Sequence, residues 1–213
     1  MAETSPEFSP EFRDQLTQLM QWRRDVRRFC TDPVDEALLT ECLDAILLAP
    51  SVGLSEPWRV VRVQSDAART AALENFKAAN ARALEGYAGD RATIYAGLKL
   101  SGMSDAPVQL AIYCDETTDK GQQLGATTMP EMRRYSVVAA ITQFWLTART
   151  HGLGVGWVSI LDPKQLNRDL KTPENWALVA YLCVGWPETT SNTPELINAG
   201  WENRRGTLPV RSV

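Results

Sequence analysis

Five consecutive residues, Arg23-Arg24-Asp25-Val26-Arg27, bring three guanidinium groups and one carboxylate together. A guanidinium is planar and permanently charged, and it donates paired hydrogen bonds that match phosphate oxygens. Such a cluster suits the phosphate of a small ligand. The acid is out of place there unless it pairs with an arginine or moves a proton. The plain alternative is a solvated basic turn in which Asp25 pairs with a neighbour.

Three other stretches carry candidate chemistry. In Ala49-Pro50-Ser51-Val52-Gly53, the Ser51 hydroxyl and nearby backbone N–H groups could face a ligand rich in acceptors; an ordinary turn is the alternative. Gly152-Leu153-Gly154-Val155-Gly156-Trp157 superficially resembles a nucleotide loop. The dinucleotide fingerprint needs a strand before it and a helix after it, and here the order is reversed. Gly152 reads as a helix C-cap. Gly154 and Gly156 read either as part of that cap or as a place where a flat ligand approaches the backbone. Ser159 lies in the apolar run Trp157-Val158-Ser159-Ile160, where a satisfied core hydroxyl is the competing reading.

The elements that must position these residues are legible from periodicity. Phe12, Leu16, Leu19 and Met20 share one helical face. Asp35 caps a second helix running through Leu38, Cys42, Ile46 and Leu47, and Pro50 ends it. Strands are expected at 58–64, 108–114, 155–160 and 177–185, the last a buried central one. Helices are expected from Asp66 to about Leu100 with a break near Gly86 and Gly89, through Val138 to Ala148, and after Asp162-Pro163. Residues 114–130 read as a long loop or lid, and the tail after Pro187 as a segment that wraps a partner. The Ser-Pro-Glu-Phe duplication marks residues 1–12 as a flexible leader, and 13–213 as one domain with a C-terminal tail. The mixture, without a regular βαβ series, predicts an α+β fold.

Composition narrows the function classes. The 213 residues suit one domain, and a net charge of −4 argues against a nucleic-acid surface. No apolar run reaches the ~18 residues of a membrane span, and no secretory signal is expected. The four cysteines form no C-x-x-C pair and fit a reducing cytoplasm. His151 is the only histidine, which leaves little room for a histidine triad or a multi-histidine metal site. An enzyme of this composition would take its power from a bound organic molecule rather than a metal.

Taken in order, Arg-Arg-Asp-Val-Arg, Ala-Pro-Ser-Val-Gly with a downstream Pro-Trp, and Gly-Leu-Gly-Val-Gly-Trp-Val-Ser-Ile resemble the FMN-dependent nitroreductase-like superfamily. The resemblance runs from about Gln15 to Trp201. It includes Leu98-Lys99-Leu100, Tyr135-Ser136, Trp145-Leu146, Pro194-Glu195-Leu196 and Gly200-Trp201. Asp25, where ordinary members more often carry a small hydroxyl residue, and Ser159 point to the flavin-cleaving branch that makes 5,6-dimethylbenzimidazole, the lower ligand of cobalamin. Glu56, Gly125 to Pro130 and Arg133-Arg134 depart from the branch's pattern.

The resemblance implies a mixed, largely antiparallel sheet packed by helices, in an intertwined homodimer with the flavin at the subunit interface. It implies reduced FMN and O2 as substrates, no metal, and catalysis by Asp25 and Ser159. It places Arg23, Arg24, Asp25, Val26, Arg27, Pro50, Ser51, Leu100 and Ser159 around the flavin. A separate flavin reductase is an expected partner. An NAD(P)H-dependent nitroreductase and a non-catalytic flavin carrier remain open beside this reading.

Overall fold

The computed structural model describes residues 5–98 and 101–213. Helix starts follow local capping chemistry. Ser9 accepts from Phe12 N (3.2 Å), with Pro10 in the first turn of α1 (Pro10–Trp22). Asp35 Oδ1 accepts from the N–H groups of Ala37 (2.9 Å) and Leu38 (3.1 Å) at the start of α2 (Glu36–Asp44). The expected continuation to Leu47 tightens into a 3-10 turn, Ala45–Leu48, because Pro50 stops the chain from propagating the helix. Next come β1 (Trp58–Arg62), α3 (Asp66–Leu84), α4 (Gly89–Gly97), α5 (Gly102–Asp105) and β2 (Val108–Asp115). They are followed by α6 (Met132–Thr150), β3 (Gly154–Val158), α7 (Pro163–Asp169), β4 (Trp176–Gly185) and α8 (Glu195–Asn198). No described helix is long and apolar enough to cross a membrane.

The strands form one sheet in the order β1-β2-β4-β3, and every pairing within it is antiparallel. The only parallel contact among the described residues is an isolated bridge between Asp25 and Val155. Period-two alternation splits the strands between two cores. Leu110, Ile112, Leu182 and Val184 face α2 and α6, packing on Leu39, Ile46, Ile141 and Phe144. Ala111, Tyr113, Tyr181 and Cys183 face the opposite layer, with Phe29, Phe76, Met103 and Leu166. Because β4 is covered on both faces, its sequence is a continuous apolar run rather than an alternating one. Each fully buried Leu, Ile or Phe contributes ~1.5–3 kcal/mol of transfer free energy.

The tail after Pro187 packs on its own chain. Arg91 Nη1 donates to Trp201 O (2.8 Å), the Trp201 ring stands edge-on to Tyr87 at 5.4 Å, and Arg28 reaches Glu195 at 3.7 Å. Helix α1 carries its apolar face outward: Phe12, Leu16 and Met20 are all exposed.

Candidate functional site

Residues 23–29 run extended along the free edge of β3. Val26 N donates to Val155 O (3.0 Å), Gly102 N donates to Arg27 O (3.1 Å), and Phe29 bridges Pro187. The glycines of β3 explain how the segment fits. A Cβ on Gly154 would lie 2.8 Å from Val26 Cγ2, and one on Gly156 would lie 2.2 Å from Val26 O. These glycines therefore admit the protein's own Arg-Asp segment. Gly152, with φ +84°, is the helix C-cap expected.

Asp25 Oδ1 accepts from Trp157 N at 2.7 Å, which fixes the carboxylate at the mouth of two solvent-open recesses. Their cavity volumes are ≈ 120 Å³ and ≈ 160 Å³. Asp25, Arg24, Arg27 and Glu195 line both; Arg28 lines the first, Arg23 and Arg204 the second. Desolvation by the recess walls pushes the Asp25 pKa up; the Trp157 N–H, Arg27 and Arg23 pull it down, and Glu195 adds to the rise. Asp25 is nonetheless exposed at the recess mouth in the single chain, and solvent there limits the size of the shift. Beneath it, the Cys183 thiol is pushed up to about 12, chiefly by burial, which leaves it a neutral apolar group.

The arginines differ in what they are free to do. Arg27 makes no side-chain hydrogen bond or ion pair to a described residue. The Arg23 guanidinium lies 4.8 Å above the centre of the Trp145 ring. Arg24 donates to the main-chain oxygens of Arg23 (2.8 Å) and Asn192, and its buried Nε has no partner in the chain. Burial lowers the Arg24 pKa, with Arg204 and Arg23 adding to the effect. Arg204 was not singled out in the sequence. It lies nearly 180 residues from the cluster, and only the returning tail brings it into the recess.

Other expected site residues lie elsewhere. Ser51 Oγ accepts from Glu56 N (3.1 Å), and Val52 N donates to Ser136 Oγ (3.0 Å). The N–H groups of Val52 and Glu56 are thus satisfied within the protein. Pro50 and Ser51 lie in the turn before β1, which is the strand at the opposite edge of the sheet from β3. Neither they nor Ser159 line the Asp25 recesses. Ser159 follows the end of β3, two residues past Trp157, and is exposed rather than a core hydroxyl. Leu100 lies outside the described residues, next to Ser101 and Gly102, which contact Arg27 O.

The positions that depart from the branch's pattern prove to be tethers for the loop between β2 and α6. Glu56 pairs with Lys120, Arg134 with Glu116 (2.6 Å), and buried Arg133 donates to Gln123. Gly53 and Gly121 meet so closely that a Cβ on Gly121 would lie 2.4 Å from Gly53 O. The loop is docked beside the Ser51 turn.

A model of the nitroreductase family matches residues 20–186, a span that holds the arginine cluster, the Ser51 turn and the glycine-bearing strand. The chain belongs to the nitroreductase family. A Rhodospirillum rubrum protein named 5,6-dimethylbenzimidazole synthase is 53% identical over 208 residues, 98% of this chain and 99% of that protein. A Rhodobacter capsulatus protein of the same name is 47% identical over 195 residues, 92% of this chain and 94% of that one. Among solved structures, oxidised iodotyrosine deiodinase bound to FMN and 3-iodo-L-tyrosine superposes with a TM-score of 0.73 at 21% identity. It covers 92% of this chain and 97% of that one. That likeness carries the fold: nitroreductase-like helices around an antiparallel sheet.

Proposed function

We propose that this nitroreductase-family protein is a 5,6-dimethylbenzimidazole synthase that fragments reduced FMN with O2. The observation that carries the reading is an acid, Asp25, anchored by a 2.7 Å bond from Trp157 N inside an arginine-lined recess. Near-full-length identity of 53% to a synthase supports it.

The residues present fit FMN. Arg23 and Arg27 offer unspent guanidinium donors for the phosphate, with Arg204 beside them and the orphan Nε of Arg24 behind. Bound reduced FMN supplies the electrons that activate O2. The chain's own contribution is to grip the phosphate, exclude water and move protons. Asp25 is assigned the proton transfer at the ribityl chain. Its raised pKa brings it closer to the working pH of a general acid–base group. Ser159, exposed beyond β3, is assigned a hydrogen bond to the flavin.

Pro50 and Ser51 do not line the Asp25 recesses of their own chain, and they are assigned to this site through a second copy. The surface around them favours a homodimer: Leu47, Leu48, Leu54 and Leu124 are 61%, 80%, 68% and 73% exposed. The test is aerobic incubation with reduced FMN, followed by chromatography. Loss of flavin with appearance of 5,6-dimethylbenzimidazole is expected. NAD(P)H turnover with FMN recovered intact would make the protein a reductase.

A further inference from the structure

The recess beside Asp25 contains a second carboxylate. Glu195 is the first residue of α8, and it lines the two solvent-open recesses at Asp25. Its position comes from the docked tail. Ala199 N donates to Glu195 O (2.8 Å), Trp201 N donates to Leu196 O (2.9 Å), and Trp201 is clamped on α4 by Arg91 and Tyr87. Its ion pair is loose: Glu195 Oε1 stands 3.7 Å from Arg28 Nη1, and Arg28 already meets Glu188 at 3.8 Å. Pairing Arg28 is therefore an incomplete account of why an acid faces a phosphate grip.

We propose that Glu195 is a positioning residue whose charge offsets the arginines of the recess, both at Asp25 and at the FMN phosphate they hold. The inference rests on the reading of Asp25 as the proton-transfer group. A second negative charge in the recess opposes ionisation of Asp25. Every charged group facing Asp25 enters this balance. Arg23 and Arg27 on its own segment pull its pKa down, as does the Trp157 N–H from β3. Arg24, which lines both recesses, and Arg28, which lines one, add further positive charge from the same segment; Arg204 and Glu195 come from the tail with opposite signs, and the Cys183 thiol on β4 stays neutral. Glu195 is thus the one acid in the described recess lining able to offset the cations around Asp25.

The second effect follows from the fate of the flavin. A resident cofactor is best held as tightly as the arginines allow. A flavin consumed at each turnover must be loaded, and its phosphate-bearing fragment released, every cycle. A fixed negative charge beside the phosphate weakens binding and is screened by salt, so its removal should matter most at low ionic strength.

The experiment uses the full chain with Glu195→Gln, and Glu188→Gln as the control that disturbs Arg28 alone. Oxidised FMN is titrated by flavin fluorescence at low and high salt. The Asp25 carboxyl is titrated by carbon-13 NMR on aspartate-labelled protein, its signal assigned by Asp25→Asn. In Glu195→Gln the Asp25 midpoint is expected to fall by at least about half a pH unit. FMN should bind about threefold tighter at low salt, with the gain shrinking at high salt. The acid limb of the product-versus-pH profile should move the same way as the midpoint. Glu188→Gln should leave the midpoint in place. An unchanged midpoint and affinity in folded Glu195→Gln, or equal shifts in both variants, would overturn the proposal. Wild type that makes no product would sink the synthase reading, while the NMR and FMN titrations would still judge Glu195.

Discussion

Replacing Asp25 with asparagine separates holding the flavin from breaking it. Asparagine keeps an oxygen where Asp25 Oδ1 now accepts from Trp157 N at 2.7 Å, so the bridge to Val155 and the bond from Val26 N to Val155 O (3.0 Å) should survive. Two magnitudes follow. A unit charge ~6 Å from a phosphate charge, at an effective dielectric of ~50, repels it by ~1 kcal/mol, so its removal should tighten FMN binding roughly fivefold. An amide cannot take up the proton, and positioned acid–base catalysis contributes about 10²–10⁴ in rate. Product should therefore fall at least about a hundredfold while FMN stays bound and is recovered intact. The assay is chromatographic product yield after aerobic incubation with reduced FMN, beside wild type and Ser159→Ala, with fluorescence titration for affinity. Near-normal product from the variant would remove Asp25 from the chemistry. The same residue sets a pH signature. Its folded pKa is raised, chiefly by desolvation, so folding binds its proton more tightly. That contribution is fully present below the ordinary carboxyl value and is lost as pH rises through the raised one. Asp25→Asn should remove this part of the pH dependence, leaving Tm at neutral pH equal to or above that of wild type.

Three further outcomes are expected. Arg27→Ala should weaken FMN binding by about tenfold or more, since a hydrogen bond to a charged group contributes ~1.5–3 kcal/mol, and lysine should rescue only part of it; titration with FMN reads this. Gly156→Ala should dislodge the Arg-Asp segment, because the added carbon would lie 2.2 Å from Val26 O; lost FMN binding and faster amide exchange at Val26 would show it. If the leucines around Ser51 are covered by a second copy, Leu48→Asp should turn a micromolar dimer into a monomer by sedimentation and remove most of the FMN-induced rise in Tm.

The parts of the fold readable from the sequence are those set by near neighbours. The caps at Asp35 and Asp162, the break between α3 and α4, and the apolar runs of β2 and β4 depend on residues a few positions apart, and they lie where periodicity puts them. The arginine cluster and its unusual acid were equally visible, as a string of types that suits a phosphate. How that string is arranged depends on packing at long range. Only the tertiary structure shows that Gly154 and Gly156 exist to admit Val26, and that Trp157 N–H holds the Asp25 carboxylate. It also turns Arg24 toward main-chain oxygens while Arg27 stays free. Ser51 precedes β1 and Asp25 bridges β3, and the order β1-β2-β4-β3 puts those two strands on opposite edges of the sheet. No local pattern encodes strand order. The tail lacked periodicity because its short helix and turns are held by Trp201 and Arg91 rather than by their own repeat. Its return over the arginines brings Glu195 and Arg204 to Asp25, a meeting of charges that sequence separation conceals.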